Sequence, residues 1–339
     1  MIMEQLKNQI SDAFSKWTSH LPDRLELLNS GSGSKRRYYR IFSEADTYIA
    51  THASDIRENE AFFYLAAYFH RKGISVPELY HISSDETVYF QQDIGDMNLL
   101  QKLKSEGLTA EVRDLYKASL AELARMQTSA RELDFSNCYP RASFDVQSIL
   151  WDLNYFKYYF LKVSDIDFDE QLLENDFQNL AKTLVVENEP YFMFRDFQAR
   201  NIQIHHGKPW FIDFQGGRRG PLLYDVASLI YQASANLPDD FRADLLEFYF
   251  QILPSGLYDS KEKYESDFRN MQLIRNVQTL GAYGFRGLIE GKEYFKNSIP
   301  NALSNLEKLL MQMPDNADIS YFLNILQQLV QIKNKFENQ

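Results

Sequence analysis

Leu6, Ile10, Phe14, Trp17 and Leu21 recur at spacings of three and four, the stagger of one apolar helix face, and predict an opening helix packed on a lobe. Residues 24–29 read as a strand, 30–34 as a flexible turn and 35–43 as a second strand, which together make a hairpin with a glycine-rich tip. A third strand is expected over 47–53. A helix from about 57 to 72 follows, carrying Phe62, Leu65, Ala66 and Phe69 and stopped by Gly73. Strand-like stretches at 79–82 and 88–92 complete a β-β-β-α-β-β lobe. Beyond the turn Asp93-Ile94-Gly95-Asp96 the period becomes helical, over 108–133, 144–163, 170–186, 222–235 and most of 241–333. Two short apolar stretches, 191–194 and 210–214, interrupt these helices, and each bears or leads to an aspartate.

A length of 339 residues suits two lobes rather than one core, at about 100–200 residues per domain. With 45% hydrophobic and 14% aromatic residues the chain can fill a dense interior, so disorder is not expected. The formal charge of −11 repels phosphate backbones and anionic lipid, which speaks against nucleic acid and membrane surfaces as partners. Cys138 stands alone, fits a reducing compartment and excludes a cysteine zinc cage. No apolar run approaches the about 18 residues of a membrane span, and residues 1–12 lack the pattern of a signal peptide, so the cytoplasm is the expected location.

The densest chemical signal is Phe194-Arg195-Asp196-Phe197-Gln198-Ala199-Arg200-Asn201, followed by Phe211-Ile212-Asp213-Phe214-Gln215-Gly216. An aspartate, an asparagine five positions on and a second aspartate closing a short apolar strand is the spacing that positions a hydroxyl nucleophile and Mg²⁺ on a nucleoside triphosphate. Asp196 would accept the substrate proton, and Asn201 and Asp213 would offer the hard oxygens that Mg²⁺ prefers. The tip residues Gly31, Ser32, Gly33 and Ser34 let backbone N–H groups approach phosphate. Period-two alternation then puts Lys35 and Arg37 on one face of the second strand, and Arg36 and Arg40 on the other. Trp151, Tyr155, Tyr158 and Tyr159 form an aromatic stripe for which core packing is expected.

These stretches, with Ser34 to Arg40, the Asp93–Asp96 turn, residues 220–229 and residues 275–281, resemble the aminoglycoside phosphotransferase and choline kinase superfamily over nearly the whole chain. More narrowly, the chain is similar to bacterial kinases of the anomeric hydroxyl of N-acetylmuramate and N-acetylglucosamine. The resemblance implies an α+β, two-lobed protein kinase-like fold, with a small β-rich N-lobe at 1–94 covering the nucleotide and a mainly helical C-lobe at 95–339. It implies ATP and Mg²⁺ as cofactors and a small-molecule substrate, with a nucleotidyltransferase as pathway partner. Nucleotide contacts are expected from Gly31, Ser32, Gly33, Ser34, Arg36, Arg37, Glu60 and Gln92.

The chain departs from that pattern twice. Phe194 stands where the superfamily usually has histidine, and the third strand, Thr47-Tyr48-Ile49-Ala50-Thr51-His52, lacks the lysine that contacts the α- and β-phosphates. Glu60, similar to the helix glutamate that pairs with that lysine, is then left to Arg36 or Arg37. Asp225 corresponds to the aspartate that bonds the catalytic-loop backbone, with a helix-start carboxylate as the competing reading. Two rivals stay open: a kinase of aminoglycosides or of choline- or ethanolamine-type alcohols, and a catalytically silent nucleotide-binding regulator.

Overall fold

The computed structural model describes residues 2–28, 36–185 and 190–336. The chain opens with α1 (Ile2–Thr18), β1 (Arg24–Leu28), β2 (Arg37–Ser43), β3 (Asp46–His52), α2 (Ile56–Arg71), β4 (Leu79–Ile82) and β5 (Val88–Gln92). The five strands form one antiparallel sheet in the order β1-β2-β3-β5-β4. Alternation divides its residues between two faces. Tyr39, Ile41, Ala50, Val88 and Phe90 point one way and close a core with Ile10 and Phe14 of α1. Trp17 seals its rim by stacking on Phe90 at 5.4 Å.

The other face receives α2. The Asp55 side chain caps this helix by accepting the Glu58 N–H at 3.2 Å. Its buried stripe of Ala61, Phe62, Leu65 and Phe69 runs on into the helical lobe, where Phe69 meets Phe192 at 4.7 Å and Phe62 meets Phe214 at 5.4 Å. At the joint, Arg40 of β2 bonds Asp93 at 2.6 and 3.1 Å and Asp96 at 2.9 and 2.7 Å, tying the sheet to the turn after β5.

The remainder is α3 (Leu99–Glu106), α4 (Ala110–Ser129), α5 (Val146–Tyr159), α6 (Glu170–Leu184), β6 (Phe192–Met193), β7 (Ile202–His205), β8 (Lys208–Phe211), β9 (Arg218–Arg219), α7 (Leu222–Ile230), α8 (Asp239–Ile252), α9 (Lys261–Tyr283), α10 (Glu293–Lys296), α11 (Ile299–Leu310) and α12 (Ser320–Gln331). A β-rich small part joined to this helical body is the two-lobed protein kinase-like arrangement expected from the sequence. The short ribbons β6–β9 and β7–β8 carry the loops that matter for chemistry. Helices α5 and α9 approach closely because glycines line the contact. A Cβ at Gly281 would lie 2.9 Å from Phe156 N, and one at Gly284 only 2.1 Å from Tyr159 O.

Half of the aromatic stripe departs from its expected core role. Tyr155 and Tyr159 are half-buried and pack on each other at 4.7 Å and, from Tyr159, on Phe285 at 4.9 Å. Trp151 and Tyr158 are 49% and 52% exposed, and it is Ile149, Leu153, Phe156 and Phe160 that α5 and its end bury. The stretch expected as one helix over 222–235 stops at Ile230, where Tyr231 takes φ −104° and ψ 21° and the chain turns. Among the described residues no helix is long and apolar enough to cross a membrane.

Candidate active site

The loop 194–201 is held from below. Asp225, fully buried on α7, accepts the backbone N–H groups of Phe194 at 2.7 Å and Arg195 at 2.9 Å, and Gln127 Nε2 donates to it at 3.1 Å. Burial pushes its carboxyl up to about 7 against the pull of these donors. The competing reading as a helix-start carboxylate therefore misses where the oxygens point. Phe194, in place of histidine, packs its ring against Phe197 at 5.3 Å, Phe211 at 6.1 Å and Phe214 at 6.3 Å, so apolar contact fixes this part of the loop.

Arg195 adopts φ +83° and Asp213 φ +70°, a backbone region that side chains other than glycine rarely enter. Arg195 is held there by more than its N–H. Its guanidinium bonds Asp152 of α5 at 2.8 and 2.5 Å and donates to Tyr224 Oη at 2.9 Å. The turn presents the next residue, Asp196, whose side chain is 47% exposed while its partner Arg275, 3.3 Å away on α9, is 6% exposed. Burial would raise the Asp196 carboxyl, but Arg275, Arg195 and Arg200 together hold it below its ordinary value.

Asn201 joins the two aspartates. Its Nδ2 donates to Asp196 O at 2.9 Å and to Asp213 Oδ2 at 3.2 Å, and Gln215 Nε2 donates to Asp213 Oδ1 at 3.0 Å. The Gln215 Oε1 is buried and without a partner beside them. Carboxylate and amide oxygens of this kind suit Mg²⁺. Among the described residues no three His, Cys, Asp or Glu come together, so a cation here would depend on phosphate and water oxygens for the rest of its shell.

The nucleotide side differs from expectation in its pairing. Thr51, fully buried, is opposite Tyr38 and Tyr89 on the face of β3 that meets α2. Arg36, 5% exposed, fills the neighbouring space, with its guanidinium 3.4 Å from Glu58 and 5.8 Å from the Phe62 ring centre. Burial works against its charge, but the fields of Tyr89, Tyr38, Glu58 and Asp213 outweigh it. Glu60, the carboxylate expected to meet an arginine, is exposed. Residues two apart on a helix do not share a face, so Glu58 and Glu60 cannot both look at Arg36. Arg37 is exposed and shares the strand face of Tyr39 and Ile41, away from Arg36. Gln92 accepts the Glu78 N–H at 3.4 Å. Gly31, Ser32, Gly33 and Ser34 lie outside the described residues.

Glu58, Asp152 and Arg275 were not singled out by sequence. Arg275 opens the stretch 275–281, but nothing in its spacing announces a partner 79 positions away.

The chain matches the phosphotransferase enzyme family over residues 25–260. It is 25% identical to the N-acetylmuramate/N-acetylglucosamine kinase of Neisseria meningitidis serogroup B, over 81% of this chain and 82% of that protein. With the protein of the same name from Pseudomonas aeruginosa it shares 22% identity over 89% of each. Among solved structures, a choline/ethanolamine kinase family protein from Mesorhizobium loti superposes with TM-score 0.61 at 13% identity, covering 97% of this chain and 100% of that one. ADP-bound aminoglycoside phosphotransferase APH(2'')-Ib superposes with TM-score 0.60 at 15% identity, covering 97% and 98%. A protein kinase-like fold, a loop that brings Asp196 and Asn201 to Asp213 at the end of the next strand pair, and a family match over most of the chain lead to one conclusion: the chain is a small-molecule kinase and belongs to the phosphotransferase enzyme family.

Proposed function

We propose that this kinase transfers the γ-phosphoryl group of ATP, with Mg²⁺, to the anomeric hydroxyl of an N-acetylated amino sugar. The observation that carries the reading is the single side chain of Asn201 spanning Asp196 O and the Asp213 carboxylate, which sets a proton acceptor beside a pair of hard oxygen donors. Asp196 takes the proton of the sugar hydroxyl as its oxygen bonds to phosphorus and the bridging bond to ADP breaks. Asn201 and Asp213 would hold Mg²⁺, with Gln215 Oε1 at hand, and the ion would neutralise phosphate charge. Arg36 is the cation that stands in for the missing third-strand lysine. In this reading residues 1–94 cover the nucleotide and 95–339 present the acceptor.

The sugar assignment draws on the two relatives named as amino-sugar kinases. The charges around Asp196 support it too. Arg275 sits directly on the carboxylate and Arg195 precedes it, so a cationic aminoglycoside or amino alcohol would meet like charge, whereas a neutral or carboxylate-bearing sugar would not. A sugar 1-phosphate is a substrate of the class that nucleotidyltransferases consume, which suits a cytoplasmic recycling route. Incubation with ATP, Mg²⁺ and a panel of N-acetylmuramate, N-acetylglucosamine, choline and aminoglycosides, followed by phosphorus NMR, tests the proposal. A glycosyl 1-phosphate signal is expected. Activity confined to cationic alcohols would overturn the acceptor, and nucleotide binding without transfer to any compound would favour a silent regulator.

A further inference from the structure

Behind the catalytic loop, α7 and α9 enclose a small polar pocket lined by Gln198, Ser228, Gln272, Arg275, Asn276 and Thr279, among others. Several polar groups around it are satisfied within the chain. Gln232 accepts the Ala199 N–H at 2.7 Å and donates to Ser234 Oγ at 2.8 Å, and Arg275 donates to Gln278 Oε1 at 2.6 Å. Two are not. Ser228 is 2% exposed and Asn276 5%, yet Ser228 Oγ and Asn276 Nδ2 have no hydrogen-bond partner. Buried polar side chains are nearly always bonded, so two orphans on residues that line one pocket mark a place completed by groups from another molecule.

We propose that this pocket is the subsite that reads the acetamido group of the acceptor sugar, with Asn276 Nδ2 and the Ser228 hydroxyl both donating to the amide carbonyl oxygen. The inference rests on the amino-sugar reading of the function. Arg275 links the pocket to the chemistry, because it lines the pocket while its Nη2 is 3.3 Å from Asp196 Oδ1. In a 2-acetamido sugar the amide is borne by the carbon next to the anomeric carbon. In this proposal a sugar whose anomeric hydroxyl meets Asp196 sets its amide on the Arg275 side of that carboxylate, toward the pocket. The enclosed space takes about one water-sized group, which admits the tip of an amide and excludes a sugar ring. The two lone pairs of a carbonyl oxygen match one orphan amide donor on α9 and one orphan hydroxyl, also a donor, on α7. Sites built to bond a polar substituent discriminate strongly against analogues that lack it.

Steady-state kinetics of the full chain with ATP and Mg²⁺ on N-acetylglucosamine and on glucose, which has the same ring and anomeric hydroxyl, read the subsite directly. The parent enzyme should prefer the acetamido sugar. Ser228→Ala and Asn276→Ser should each lower the ratio of the two kcat/KM values roughly three- to tenfold, the effect of one lost neutral hydrogen bond. A ratio unmoved in both variants overturns the subsite and leaves a structural water as the pocket's occupant. A parent that phosphorylates the two sugars equally also overturns it, with the sugar kinase reading intact. A parent inactive on every N-acetylated sugar overturns that reading and the subsite with it. Should Asn276→Ser lose its cooperative thermal melt, Ser228→Ala decides alone, since it removes one oxygen and almost no volume.

Discussion

Replacing Asp152 by Asn keeps the shape of a buried side chain and removes its charge, and the surroundings set the cost. Asp152, 6% exposed, makes two bonds to the Arg195 guanidinium at 2.8 and 2.5 Å. Arg218, also 6% exposed, feels the same carboxylate, and its guanidinium donates to the Gly216 carbonyl at 3.1 and 3.0 Å. In the variant one amide oxygen can still accept from Arg195, but the new NH₂ group faces guanidinium donors and both arginines lose their shared counter-charge. A unit pair about 4 Å apart at an effective dielectric of about 20 is worth about 4 kcal/mol. Breaking one side of a buried pair generally costs about 3–5 kcal/mol. We therefore expect Asp152→Asn to lose about 3–5 kcal/mol in equilibrium urea unfolding followed by far-UV circular dichroism, and to lose turnover as the Arg195 turn loosens. Burial and the like charge of Arg195 already depress Arg218 to about 10, so removing that second cation should relieve the variant. Arg218→Met in the Asp152→Asn background should restore about 1–2 kcal/mol, a coupling read from the double-mutant cycle. A single variant within about 1 kcal/mol of the parent, or strictly additive losses, would refute the charge argument.

Asp196→Asn should lower kcat by about two orders of magnitude or more while nucleotide Kd from calorimetry stays within a few-fold, since it removes a proton acceptor and not a phosphate contact; an unchanged rate would move the chemistry elsewhere. Arg36→Met should raise the apparent KM for ATP about ten- to a hundredfold, the worth of a charge-assisted bond to phosphate, whereas Arg37→Met on the opposite strand face should stay within about twofold. Equal behaviour of the two would remove Arg36 from the phosphate site. Gly284→Ala must part α9 from α5, because its Cβ would stand 2.1 Å from Tyr159 O; a loss of about 3 kcal/mol in urea is expected, and a loss below 1 kcal/mol would show the contact to be soft.

What the sequence disclosed follows the range over which each signal acts. Strands β1 to β5 and helix α2 were legible because alternation and the 3.6-residue period are local, and their observed ends lie within two residues of the expected ones. The same local argument puts Arg36, one residue before β2, and Arg40 on one side of that strand, where Arg40 grips Asp93 and Asp96. It failed where phase had to be known across two elements. Glu58 and Glu60 both sit on α2, and only the packing of that helix on the sheet decides which one looks toward Arg36. The stripe of Trp151, Tyr155, Tyr158 and Tyr159 fails at Trp151 and Tyr158 for a related reason. On α5 it competes with Ile149, Leu153 and Phe156, which take the core, while Tyr155 and Tyr159 meet the end of α9 near Gly281 and Gly284 and leave Trp151 and Tyr158 outside.

The candidate site divides along the same line. Asp196, Asn201 and Asp213 could be singled out because phosphoryl transfer needs its proton acceptor and metal oxygens close together, and one loop with the strand pair after it supplies them within a short run of sequence. The groups that hold that loop face no such constraint. Asp225 on α7 fixes its backbone, Asp152 on α5 fixes Arg195, and Arg275 on α9 sets the charge of Asp196. Each acts across 30 to 79 positions of sequence. Residues that react are thus read from spacing, whereas residues that restrain them emerge only when helices far apart in the chain are packed onto one loop. The strained φ of Arg195 ties the two sets together, because it persists only while Asp225 and Asp152 hold it and it is what presents Asp196.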